Sequence, residues 1–192
     1  MKILICGDSF AADWSILHPR KKGWPNLLAD RFDITNIAQA GCSEYKILLQ
    51  LLSVDLTQFD KIIVSHTGSH RRIYVKCHPV YENDPFHKDS DLIYSDIKHH
   101  CIKNKKLLPL IEYFEKYFDL EHAKFMHSLI LKEIYAIVEN YNVLHISHLE
   151  EEELSNCVSF YDILKTNKGL INHYSELGNQ IVYEKIVSLI FL

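Results

Sequence analysis

Four short stretches of this chain place reactive or hydrogen-bonding groups where an apolar run gives way to a polar turn. ICGDSFAA turns on Gly7 and presents Asp8 and Ser9; AQAGCSEY carries Gly41; SHTGSHRR carries Gly68, His70 and Arg71; INHYSELGNQ carries His173. A hydroxyl, backbone donors beside glycines and an imidazole are together the parts of nucleophilic acyl transfer: a base activates the hydroxyl, and N–H groups hold the oxyanion that forms. Each stretch also has a plainer reading. Ser9 can be a turn residue or a helix cap, and His173 can cap the helix that follows it.

The elements around these stretches decide whether they can meet. Strands are expected at KILIC (2–6), ITNIA (34–38), KIIVSH (61–66), VLHIS (143–147) and CVSFY (157–161), short apolar runs bounded by turn or polar residues. Helical periodicity fills the intervals. Pro25 marks one helix start, Ser43 and Asp119 are expected N-caps, and Ala123, Met126, Ile130, Ile134 and Ile137 step by three or four along the longest helix. A last helix follows Ser175. Alternating strands and helices predict parallel pairing through crossovers, hence a three-layer α/β/α sandwich of flavodoxin-like type around a mostly parallel sheet of about five strands. In such sheets ligands bind beyond the carboxyl ends of the strands, and Ser9 stands just past the end of the first one.

With that order in place, the chain resembles the SGNH (GDSL) hydrolase superfamily. The first block matches at Gly7, Asp8 and Ser9, the second at Gly41 in NIAQAGCS, and the last at His173 and Gly178 in HYSELGN. The resemblance runs from the first motif to the last helix. It implies Ser9 as nucleophile, His173 as general base, and the N–H groups of Ser9 and Gly41 as oxyanion donors. Gly68, His70, Asp8 and Arg71 are further candidates for oxyanion and substrate binding. Two positions depart from the family pattern: His70 stands where an oxyanion Asn is usual, and Leu170 stands where an Asp three residues before the histidine is usual. His70, Thr67 or Ser69 would then supply the missing donor. Asn172, Asp162 or a backbone carbonyl would have to orient His173. Arg71 and Arg72 could neutralise an anionic substrate or simply lie on the surface. Trp14, Trp24, Tyr45 and Tyr74 line the crevice or pack the core.

Composition narrows the classes. The 192 residues suit one domain. A net charge of −4 gives no general attraction to nucleic acid or to an anionic membrane, and Lys103, Lys105 and Lys106 read as a solvated face. Met1–Cys6 lacks the order of a secretory signal, so a cytoplasmic protein is expected. Five cysteines without a CxxC spacing are expected as free thiols. Twelve histidines, six of them from His66 to His100, form no HExxH or Cys/His ligand spacing. The expectation is surface and lid histidines, no metal and no cofactor, with metal-dependent hydrolysis as a lesser alternative. The stretch 69–108 breaks the alternation without a strand and reads as either a lid or a contact in a homo-oligomer. The function expected is hydrolysis of a small acyl ester, an O-acetyl ester on a carbohydrate for example. An acyltransferase using the same serine and a catalytically weak or inactive binding protein are the alternatives.

Overall fold

Strands buried on both faces need runs of apolar residues rather than strict alternation, and KILICG and KIIVSH meet that need. The computed structural model describes residues 1–17, 19, 21–69, 72–81, 83–149, 156–169 and 173–191. In chain order the elements are β1 (Lys2–Gly7), α1 (Trp24–Ala29), β2 (Asp33–Asn36), α2 (Glu44–Leu52), β3 (Lys61–His66), β4 (Arg72–Ile73) and β5 (Leu92–Ile93). They continue with α3 (Tyr94–Cys101), α4 (Leu108–Lys116), α5 (Leu120–Val138), β6 (Val143–Ser147), β7 (Cys157–Ser159), α6 (Tyr161–Thr166) and α7 (Glu176–Ile190). Five strands form one sheet in the order β2-β1-β3-β6-β7, and every neighbouring pair is parallel. That is the flavodoxin-like order, whose direction of winding reverses between β1 and β3.

Alternate residues of each strand feed opposite layers. Ile3, Ile5, Ile63 and Ile146 pack with Trp24 and Leu28 of α1, Ile163 of α6, and Val182 and Ile186 of α7. Leu4, Cys6, Ile62 and Val64 pack with Ile47 and Leu51 of α2 and Ile134 and Val138 of α5. The chain is therefore an α/β/α sandwich. The cap expected at Asp119 forms, His122 N–H donating to Asp119 Oδ1 at 3.0 Å, and Ser175 also caps α7, its Oγ accepting from Gly178 N–H at 3.1 Å. Ser43 precedes α2 as expected, but its hydroxyl makes no capping bond.

Two local expectations change. The stretch 69–108 contains a short antiparallel pair, β4 with β5, followed by α3, and its Leu92, Ile97 and Leu107 share an apolar cluster with Phe114 of α4. Strands of two residues carry no periodicity, so the pairing left no local signal. CVSFY also yields less strand than expected: β7 ends at Ser159, and α6 starts at Tyr161. Among the described residues no helix is long and apolar enough to cross a membrane, and the five cysteines are free thiols.

Candidate active site

The reversal of winding puts the ends of β1 and β3 side by side, Gly7 opposite Ser65. A side chain at Gly7 would bring its Cβ within 2.6 Å of Ser65 Cβ and 2.9 Å of Ser65 O, so glycine is what lets the two strand ends close together. Gln50 of α2 clamps the same residue, accepting from Gly7 N–H at 2.8 Å and donating to Gly7 O at 3.1 Å. Past this point the chain makes a tight turn. Asp8 Oδ1 accepts from Phe10 N–H at 3.0 Å, and Asp8 O accepts from Ala11 and Ala12. Asp8, rather than Ser9, thus satisfies the turn. The Ser9 hydroxyl makes no hydrogen bond among the described residues, while its carbonyl accepts from Trp14 Nε1 at 2.9 Å.

Asp8 is buried and belongs to a network joining three of the four stretches. Its carboxylate bonds with the Thr67 hydroxyl. Arg72 donates to Thr67 Oγ1 and, at 2.5 Å, to Cys42 O. Burial pushes the Asp8 carboxyl above its ordinary range, opposed by the Arg72 guanidinium and the hydrogen bonds from Phe10 and Thr67. Arg72 faces inward, as a tie between turns.

Gly41 has φ +72, a left-handed conformation that glycine adopts at little cost. Ser90 from the 69–108 stretch lies against it, with Ser90 Oγ 2.4 Å from where a Cβ would stand. Ser90 Oγ donates to Ala40 O at 2.8 Å, and Asp91 N–H donates to Gly41 O at 3.0 Å. The buried Asp91 carboxylate then accepts from Ser43 N–H at 2.8 Å and Val75 N–H at 3.1 Å, beside the Lys46 ammonium at 3.2 Å. This stretch is pinned to the start of α2 by these bonds. Its Phe86 packs on Trp14 with ring centroids 5.0 Å apart, which brings it against the turn that carries Ser9. Among the described residues the N–H groups of Ser9 and Gly41 donate to no protein group.

His173 lies on two rings supplied by the Ser9 turn, Phe10 at 4.9 Å and Trp14 at 4.7 Å. Both ring nitrogens are buried, and neither has a hydrogen-bond partner among the described residues. No bond to Ser9 is formed. Burial, with a smaller contribution from the charge of His87, lowers the imidazole to about 4, so it is neutral at pH 7. A second histidine also packs on Phe10: His148 stacks on that ring at 4.8 Å. His148 Nδ1 bonds with Tyr174 Oη at 2.7 Å and Nε2 with Ser65 Oγ at 3.1 Å. With both nitrogens engaged it is a packing and hydrogen-bonding residue, lowered to about 3 by burial and by the charge of His173.

The remaining expected residues distribute as follows. Gly68 is buried after β3. His70, Arg71, Leu170 and Asn172 lie outside the described residues. Asp162 is in α6, and no described carboxylate bonds with His173. Trp14 borders His173, whereas Trp24 is wholly core. Tyr45 and Tyr74 pack edge to face at 5.0 Å beside Lys46, which stands 5.6 Å over Tyr74. Among the described residues no group of three or more His, Cys, Asp or Glu side chains could hold a metal ion. His78 instead stacks on Tyr81 at 4.5 Å, whose hydroxyl bonds with His100 at 2.7 Å.

Sequence reasoning did not find Glu44, His66 and His145 as a unit. The Glu44 carboxylate, at the first residue of α2, lies 2.6 Å from His66 Nδ1 and accepts from Thr67 N–H at 3.0 Å; His66 Nε2 lies 2.9 Å from His145 Nδ1. Tyr135 stacks on His145 at 4.1 Å. An acid at a helix start reads as an ordinary dipole partner, and nothing local reveals that two strand histidines extend it.

Against known proteins, no family model and no curated protein matches the chain. A solved structure of a protein described as lipolytic and of the G-D-S-L family, from Desulfitobacterium hafniense DCB-2, is similar at 14% identity over 98% of both chains, with a TM-score of 0.42. A likeness at that level bears on neither family nor reaction.

Proposed function

We propose that this chain is a serine-dependent hydrolase of small esters, with Ser9 as nucleophile and His173 as base. The observation that carries the reading is the state of the groups at one sheet edge. The Ser9 hydroxyl, the N–H groups of Ser9 and Gly41, and both nitrogens of a neutral His173 are all without protein partners among the described residues. Buried polar groups are almost always paired, so the two buried His173 nitrogens left without partners, beside half-buried donors at Ser9 and Gly41, support a place kept for a ligand.

Ser9 Oγ attacks the ester carbonyl carbon as His173 takes its proton, and the oxyanion is received by the N–H groups of Ser9 and Gly41. The alcohol leaves with the proton returned by His173. Water then attacks the acyl group on Ser9, again with His173 as base. Asp8, Thr67 and Arg72 act through the backbone by holding the three turns in register. Phe10 and Trp14 fix the plane of the imidazole in place of a carboxylate. The stretch carrying Phe86 and Ser90 covers the edge as a docked lid.

One cost is built in. Burial that keeps His173 neutral also disfavours the imidazolium formed in the transition state, with no carboxylate to offset it among the described residues, so slow turnover is expected. A binding protein on the same fold is the competing reading, favoured by the lack of a Ser9–His173 bond. A fluorophosphonate probe separates the two. Labelling at Ser9, abolished in Ser9→Ala and weakened in His173→Ala, is expected; a chain that takes no label while staying folded is not a serine hydrolase.

A further inference from the structure

A cavity of about 650 Å³ opens beside His173. Its apolar walls are Phe10, Trp14, Tyr174 and Leu177, and its charged residues are mostly cationic, Lys21, Lys22 and Lys168 against one carboxylate, Glu176, with Ser175 and Asn179 as neutral polar lining. Three lysines in the lining of one hollow run against the charge of the whole chain, which is −4. Lys22 pairs with Asp30 at 2.5 Å. Lys21 and Lys168 pair with no carboxylate among the described residues.

The backbone fixes where these lysines stand. Gly169 N–H donates to His173 O at 2.7 Å, and Lys168 bridges to Tyr174, so Lys168 is tied to the segment that carries the imidazole. Gly169 permits this approach, since a Cβ there would lie 2.3 Å from Tyr174 O. Gly23 N–H donates to Asn26 Oδ1 at 3.0 Å, and Trp24 N–H donates to Asn179 Oδ1 of α7 at 3.0 Å. Lys21 and Lys22 immediately precede this anchored pair. Lys21, Lys22 and Lys168 therefore line the same hollow as His173 and Trp14.

We infer that this cavity binds the anionic end of the substrate, so that the ester hydrolysed bears a carboxylate or phosphate joined to the reacting carbonyl through an apolar or aromatic spacer. Lys21 and Lys168 neutralise the anion and Trp14 and Leu177 cover the spacer. The inference rests on the esterase reading for its catalytic meaning, but the cavity's preference for anions is measurable without turnover.

The experiment is calorimetric titration of the full chain with phenyl phosphate, phenylacetate and the uncharged control benzyl alcohol. At least one anion is expected to bind roughly tenfold more tightly than benzyl alcohol at low ionic strength, weakening as salt rises from about 20 to about 300 mM. Lys21→Gln/Lys168→Gln is expected to remove most of that preference while leaving the thermal midpoint unchanged. Binding of phenyl phosphate alone assigns a phosphate-bearing ester, and of phenylacetate alone a carboxylate-bearing one. Equal binding of the three ligands, or anion binding indifferent to the two lysines, overturns the inference. Anion binding that survives in a chain without Ser9 labelling would retire the esterase reading and leave the anion site standing.

Discussion

His66 lies 2.6 Å from Glu44, nitrogen to carboxylate oxygen, with both side chains sealed from solvent between the sheet and α2. Burial pushes the Glu44 carboxyl up, but the charge and hydrogen bond of His66, with further help from His127 and Thr67 N–H, bring it below its ordinary range. An ionised carboxylate can only accept, so His66 Nδ1 carries the proton. Removing the carboxylate strands an imidazole and the Thr67 N–H in a dry interior. Glu44→Ala is expected to lower unfolding free energy by about 3 kcal/mol or more, read from urea denaturation. A loss under about 1 kcal/mol would mean that the pair contributes little beyond packing.

The pH profile of hydrolysis follows from His173. A base must be neutral to accept a proton, and this imidazole stays neutral until about pH 4. The acidic limb of kcat/KM is therefore expected near pH 4 instead of near the ordinary histidine value of about 6.5, measured on a p-nitrophenyl ester alongside a fold check by circular dichroism. A limb near pH 6.5 with the fold intact would contradict the lowering of His173 by burial.

Stability should depend on pH through the buried histidines. His78, His145 and His173 are lowered to about 4 and His148 to about 3, chiefly by burial in each case. Above their unfolded value of about 6.5 they are neutral in both states and contribute no slope. As pH falls below that, the unfolded chain gains protons that the folded chain refuses, so stability declines from about pH 6.5 towards the folded values. Asp8, raised by burial, works in the opposite sense, since the folded chain takes up its proton before the unfolded chain does. A urea midpoint that falls steadily between about pH 7 and about pH 4.5 is expected; a level midpoint contradicts burial of these rings as neutral groups.

Gly41 and Ser90 give a paired test of the docked stretch. Gly41→Ala meets both a left-handed φ of +72 and a contact of 2.4 Å with Ser90 Oγ. A loss of about 2 kcal/mol is expected. Adding Ser90→Gly should return the steric part while the backbone part, about 1 kcal/mol, persists. Full recovery in the double variant would show that φ at Gly41 carries no cost.

Asp91 anchors the same stretch through Ser43 and Val75. Asp91→Ala leaves both N–H groups and Lys46 without their acceptor, and limited proteolysis should then cut between about residues 74 and 90 faster than in the native chain. Unchanged cutting would move the anchoring to the apolar cluster around Leu92 and Ile97.

How much of this was readable beforehand depends on the range of the interactions. All five strands of the main sheet were legible, because a strand buried on both faces is an unbroken apolar run with turn residues at its ends, and every determinant lies within a few residues. Four turn stretches were legible for the same reason. The β4–β5 pair was not, since two residues cannot express a period. Neither was the docking of Ser90 on Gly41, which joins positions 49 residues apart by shape alone.

The chain by itself determined the layered parallel fold and placed Gly7, Ser9, Gly41 and His173 at strand-end or pre-helix turns, because local patterning and turn chemistry suffice for that. Tertiary structure decided what surrounds them: an imidazole bedded on Phe10 and Trp14, a carboxylate at Asp8 used for the turn and Thr67, and a buried chain from Glu44 through His66 to His145 across 22 and then 79 residues of sequence. Hydrogen-bond state and protonation depend on which distant groups share a desolvated space, and that is a property of packing, which no local pattern encodes.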